Sequence, residues 1–168
     1  EWSLRIHSGM LERLARRAAV RTPAERIAVE APFSGAKLGE VPAGTPDDVV
    51  AATQAARAAQ AAWAGLSVAE RAKVFLRFHD RLLANADEIL DLLQLETGKA
   101  RRHAVEELLD VVIQARYYAH AAGKHLKPRR HQAALPLLAT ATELRHPFGV
   151  VGIIATWNYP LAVSVSDA

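Results

Sequence analysis

The sequence predicts an α/β protein in which a hairpin and a helical layer precede a buried strand. Three observations predict it. Short β-rich runs bounded by turn residues lie at 26–41, a succession of capped amphipathic helices fills 45–122, and a β-branched run closes on Thr156-Trp157-Asn158-Tyr159-Pro160. The last feature organises the rest. Apolar strands that end in a polar turn are where open α/β sheets place their ligands.

The chain has 168 residues, enough for one domain or for a piece of a larger protein. A hydrophobic share of 51% against 23% charged residues fits a soluble globular chain, and alanine supplies much of the apolar count, favouring helices. The net charge of +3 is spread along the sequence, so solvated helix faces are favoured over a nucleic-acid surface. There is no cysteine, which excludes disulfides, thiolate metal sites and a cysteine nucleophile within these residues. The most apolar window, 149–165, contains two glycines, an asparagine and a proline, and makes a poor membrane span. Nothing at Glu1-Trp2 resembles a signal peptide. The absence of an initiating methionine and the ending Ser166-Asp167-Ala168 are expected of a fragment.

Residues 8–20 read as a short amphipathic helix with Met10, Leu11, Leu14 and Ala18 on one face. Ile27–Ala31 and Lys37–Val41 read as a hairpin around Pro32-Phe33-Ser34-Gly35. Thr45-Pro46-Asp47-Asp48 opens a helix to about Trp63: threonine caps, proline suits the first turn, and the aspartates oppose the macrodipole. Its expected buried face is Val49, Ala52, Ala56, Ala59 and Trp63. Ser67-Val68-Ala69-Glu70 is a capping box for a helix burying Val74, Phe75, Phe78 and Leu82. Asn85-Ala86-Asp87-Glu88 is a second cap of the same form, opening a helix through Ile89, Leu92, Leu93 and Leu95 that Gly98 ends. A longer helix spans about Ala100–Ala122, with Val105, Leu108, Leu109, Val112, Ile113, Arg116 and Tyr117 on its expected face and Gly123 as its stop. Lys124–Arg130 reads as a basic linker, and 133–145 as extended chain with Pro136 on an edge. Val150–Ala155 reads as a buried strand, and a new apolar segment begins after Pro160.

Chemistry-bearing candidates are few. Glu96-Thr97-Gly98-Lys99 ends in Gly-Lys but lacks the upstream glycine and the following Ser/Thr of a phosphate loop, so a helix C-terminus is the better reading. His103 and Glu107 stand four apart on one helix, yet two ligands do not close a metal site, and no metal centre is predicted. No nucleophile elbow or Gly-x-Gly-x-x-Gly occurs. There remains Asn158, whose neutral N–H₂ can stabilise a developing oxyanion in a dry pocket. Beside it, Trp157 could wall a planar cofactor or simply fill core. On spacing alone a core-and-turn role is favoured for both residues over a ligand-binding one.

The stretch Pro147-Phe148-Gly149-Val150-Val151-Gly152-Ile153-Ile154-Ala155-Thr156-Trp157-Asn158-Tyr159-Pro160-Leu161 resembles the Pro-x-Gly-Val-x-x-x-Ile-x-Pro-Trp-Asn-x-Pro signature of the aldehyde dehydrogenase superfamily. The turn Pro32-Phe33-Ser34-Gly35, the helix Ala55–Trp63 and Leu95-Glu96-Thr97-Gly98-Lys99 resemble further elements of that family, in the same order. The resemblance implies an N-terminal fragment: a helical part of the cofactor-binding domain over 1–130, an oligomerisation β arm over 131–147, and the first strand and helix start of a Rossmann-like core over 148–168. It implies NAD- or NADP-dependent oxidation of an aldehyde to an acid through a thiohemiacetal on a cysteine, with Asn158 donating to the oxyanion. Ile154, Ala155, Thr156, Trp157 and Asn158 would then border the cofactor. It further implies a cytoplasmic homo-dimer or homo-tetramer, built by pairing of the β arm, with a small-molecule aldehyde as substrate and neither nucleic acid nor membrane as partner.

There are departures. Thr156 stands where the family has proline, and the family's cysteine, glutamate, cofactor-binding lysine and glycine motif lie downstream of the matched region. Without a nucleophile the covalent route is closed to this chain alone, which is therefore expected to be inactive. Residues 150–168 look most like the succinate-semialdehyde branch. The alternative is a truncated, non-catalytic module that pairs with intact subunits through its β arm.

Overall fold

A computed structural model describes residues 8–20, 25–135 and 137–166. The element order is α1 (Ser8–Ala15), β1 (Arg26–Glu30), β2 (Lys37–Pro42), α2 (Pro46–Gly65), α3 (Val68–Ala84), α4 (Ala86–Thr97), α5 (Arg101–His125), β3 (Arg129–Gln132), β4 (Thr140–Glu143) and α6 (Pro160–Ser166).

β1 and β2 form the expected antiparallel hairpin, with Ile27 opposite Val41 and Val29 opposite Gly39. Gly35 takes φ +68° at the turn, a left-handed conformation that glycine adopts without a Cβ clash. α1 packs on β2 through Leu11, and Arg13 pairs with Glu88 of α4. α1 stops at Ala15, short of the expected Val20. The side chain of Met10 lies outside the described residues.

The capping residues act as the sequence requires at two of three sites. Thr45 Oγ1 accepts from the Asp48 amide (3.2 Å), while the Thr45 amide donates to Asp48 Oδ2 (2.9 Å). Ser67 and Glu70 make the same reciprocal pair at the start of α3. Asn85 departs from expectation. Its Nδ2 donates to the Arg81 carbonyl at 2.7 Å, so it closes α3 instead of capping α4.

The core lies where α3, α4, α5 and α6 meet, with Leu82, Leu90, Leu93, Ala104, Leu108, Val111, Val112 and Ala162 buried together. The buried face of α5 sits about one residue round from the expected stripe: Ala104, Glu107, Leu108, Val111, Val112 and Ala115 are inside, while Leu109, Ile113 and Tyr117 are exposed. Gly123 does not end the helix, which continues to His125. On α3, Leu82 is buried but Phe78 is exposed. α2 buries none of its residues, and Val49 is 65% exposed; of the face expected to pack, Trp63 borders a cavity with Phe75 of α3 and Tyr118 of α5.

β3 and β4 pair antiparallel, Arg129 opposite Glu143 and Gln132 opposite Thr140. The first strand thus begins in the last two residues of the expected basic linker and runs two residues past it, and much of the 133–145 segment expected to be extended forms the connection. Pro136 lies outside the described residues. The expected buried strand at 150–155 is a correction of larger consequence. The segment is not part of any sheet, and Phe148 and Ile154 are 99% and 97% exposed. β-branched residues favour extended chain, but a ladder needs a neighbour, and the described strands pair only within their own hairpins.

Candidate functional site

The site is assembled where α4 ends. Gly98 takes φ +72° and its amide donates to the Gln94 carbonyl at 2.9 Å, which closes the helix and reverses the chain. The reversal brings Lys99 against the first turns of α5, beside Glu107. The Glu107 side chain is fully buried and that of Lys99 nearly so, and the two form an ion pair. A buried carboxylate is tolerated only when paired and hydrogen-bonded, and Glu107 is. Its Oε2 takes the Lys99 ammonium; its Oε1 accepts the Leu161 amide at 2.8 Å and the Ala162 amide at 3.1 Å.

Lys99 reaches further. Its Nζ donates to the backbone carbonyl of Asn158 at 2.8 Å and sits 4.6 Å from the centroid of the Tyr159 ring. The three donors of an ammonium thus face a carboxylate, a carbonyl and an aromatic face. Trp157 is fastened nearby, its indole Nε1 donating to the Glu96 carbonyl at 3.2 Å. The turn at 157–162 is therefore held by Glu96, Lys99 and Glu107.

The Glu96 carboxyl borders a cleft lined by Leu11, Leu14, Leu38 and Leu92, and burial raises its pKa above the usual carboxylate range. Elsewhere, the Arg145 and His131 side chains hold the Glu143 carboxyl below that range, and the Ser67 hydroxyl and amide do so for Glu70.

Ile154, Ala155 and Thr156 run along an exposed segment outside any sheet and lead directly into the bend that carries Trp157 and Asn158. The structure sets them in one row and fastens its far end, through the Trp157 indole and the Asn158 carbonyl; it does not enclose them. The Asn158 side chain is exposed and makes no hydrogen bond among the described residues. His103 and Glu107 do not meet. His103 pairs with Glu106 at 3.0 Å on the outer face of α5, while Glu107 points inward. Sequence reasoning missed both Glu107 and Lys99 as parts of this site. The available signal was a glutamate set among Ala104, Leu108 and Val111 on one helical face.

The Aldehyde dehydrogenase family model matches residues 20–168. The chain belongs to the aldehyde dehydrogenase family. Over 140 residues, this aldehyde dehydrogenase chain is 49% identical to a Mycolicibacterium smegmatis protein that carries the provisional name succinate-semialdehyde dehydrogenase (NADP(+)). The match covers 83% of this chain and 27% of that protein. An aldehyde dehydrogenase structure from Brucella melitensis biovar abortus superimposes with TM-score 0.79 at 28% identity, over 87% of this chain and 30% of that one. The NADP complex of an NADP-dependent glyceraldehyde-3-phosphate dehydrogenase from Bacillus halodurans gives 0.76 at 29% identity, over 84% and 30% respectively. The chain thus spans about 30% of the length of the proteins it matches. No helix among the described residues is long and apolar enough to cross a membrane.

Proposed function

We propose that this chain is the amino-terminal part of an NAD(P)-dependent dehydrogenase that oxidises succinate semialdehyde to succinate. The observation that carries the reading is the 49% identity to the Mycolicibacterium smegmatis relative, whose name specifies both that aldehyde and NADP(+). Within that reading Asn158 is the oxyanion donor. When a nucleophile adds to the aldehyde carbonyl, charge develops on oxygen, and a fixed neutral N–H₂ stabilises it without taking up the proton. Ile154, Ala155, Thr156 and Trp157 border the cofactor. The fit is supported by a segment outside any sheet, whose backbone groups are not committed to a ladder, and by the exposed Ile154 and Trp157 side chains, which offer apolar surface to a planar ring. Held beside these residues, the nicotinamide would supply the acceptor for the hydride that leaves the former aldehyde carbon as its C–H bond breaks. The chain has no cysteine, so covalent capture of the aldehyde depends on residues beyond it, and the chain alone is inactive. In the complete protein the β3–β4 hairpin, with its free edges, pairs with another subunit to give a homo-dimer or homo-tetramer.

The test is steady-state NADP+ and NAD+ reduction by the complete enzyme with succinate semialdehyde. Asn158→Ala is expected to lower kcat by about 10²–10³-fold. An unchanged kcat, with chemistry shown to limit the rate, removes the oxyanion assignment. NAD(P)H formed by the purified 168-residue chain would overturn its inactivity.

A further inference from the structure

We propose that Lys99 and Glu107 are positioning residues that aim Asn158, acting through the backbone and not through contact with substrate. The inference rests on the oxyanion reading of Asn158 and deepens it. The Asn158 side chain makes no hydrogen bond of its own among the described residues, so its direction is set by the backbone that carries it. That backbone is held by one ion pair at two points, at the Asn158 carbonyl and just beyond it. Lys99 Nζ holds the Asn158 carbonyl at 2.8 Å, and Glu107 Oε1 holds the amides of Leu161 and Ala162, where α6 begins. Because Lys99 and Glu107 also hold each other, loss of either partner loosens both clamps.

The residue types suit the task. A carboxylate has acceptor sites for the ammonium and both amides together, and an ammonium can serve the carboxylate and the carbonyl at once. A carboxamide at 107 would keep the shape but lose the charge that makes these bonds short and strong. An oxyanion donor must sit within a few tenths of an ångström of its place, and misplacement by about 1 Å costs on the order of a hundredfold in rate.

The experiment uses the complete enzyme. Glu107→Gln and Lys99→Met are each expected to lower kcat about tenfold to a hundredfold with little change in the KM for aldehyde, and Lys99→Arg to recover part of the loss. The same substitutions placed in an Asn158→Ala background are expected to cause no further loss, since there is no amide left to aim. Equal losses in both backgrounds would show a role in general stability and overturn the proposal. If Asn158→Ala itself leaves kcat unchanged, the oxyanion reading fails, and with it the catalytic purpose of the clamp. Amide exchange of the unsubstituted protein gives a readout that needs no variant to fold. Leu161 and Ala162 amides are expected to exchange slowly, and to lose that protection in Glu107→Gln. Fast exchange at both in the unsubstituted protein would overturn the clamp.

Discussion

Replacing Gly98 by alanine probes the joint on which the site depends. At φ +72° a side chain costs about 1–2 kcal/mol, because Cβ crowds the following carbonyl. An added Cβ would also stand 3.2 Å from Pro32 Cγ and 3.8 Å from Phe33 Cδ1 at the tip of the first hairpin. The first contact is tighter than ordinary packing, so the hairpin must yield slightly. Stiffening of the unfolded chain by alanine offsets roughly 0.4–1 kcal/mol of this. The net expectation is a loss of about 1–2 kcal/mol. With a urea dependence of about 2 kcal/mol per molar, the unfolding midpoint should fall by roughly 0.5–1 M. Gly98→Asn should lose less, since asparagine tolerates the left-handed region. Gly65→Ala is the control. A Cβ at that position meets nothing within 4 Å, and its φ is not in the left-handed range, so it should be neutral or stabilise by about 0.4–1 kcal/mol. An unchanged midpoint for Gly98→Ala, or equal losses at positions 98 and 65, would refute the reasoning. Because Lys99 follows directly, kcat of the complete enzyme should fall with stability in Gly98→Ala but not in Gly65→Ala.

Thr45→Ala should cost about 0.5–2 kcal/mol locally; α2 buries none of its residues, so the loss should appear as faster amide exchange in its first turn, and unaltered exchange there would argue against the cap. Glu96 gives a pH prediction. Its pKa is raised in the folded state, so the folded protein holds the proton more tightly. Stability should therefore fall as pH rises from the ordinary glutamate range through the raised value, then level off. Glu96→Gln should flatten that part of the profile and raise the urea midpoint at neutral pH relative to the unsubstituted protein; identical profiles would reject the burial of the charge.

Much of the local structure was legible because it is decided within a few residues. Thr45 and Ser67 face their own third residues along the chain, Gly98 ends its helix through its own φ, and the first hairpin follows from Pro32–Gly35. Asn85 shows the limit of that legibility: the same side chain can close one helix or cap the next, and the sequence did not say which. The expected and observed faces of α5 share Leu108 and Val112; the observed one turns toward Ala104, Glu107 and Ala115, a charged and two small residues that a count of bulky apolar positions passes over. Glu107, off the expected face, drew notice only as a residue four from His103, too few ligands for a metal site.

Asn158 and the row 154–157 were readable as a family pattern, and the family match bears out the recognition, while the part each residue plays remains for the kinetic tests. The expected strand through them could not be judged from its own residues. Val150, Val151, Ile153 and Ile154 favour extended chain wherever they stand, but a sheet exists only between neighbours, and the described strands offer none to that segment. By itself the sequence determined caps, turns, helix starts and family, since these are local or inherited as pattern. Only the tertiary structure decided that Lys99 and Glu107, eight residues apart, converge on a turn more than fifty residues further along. A buried ion pair is stable only where a fold has already excluded water and supplied every remaining hydrogen-bond partner, and no stretch of sequence holds that information.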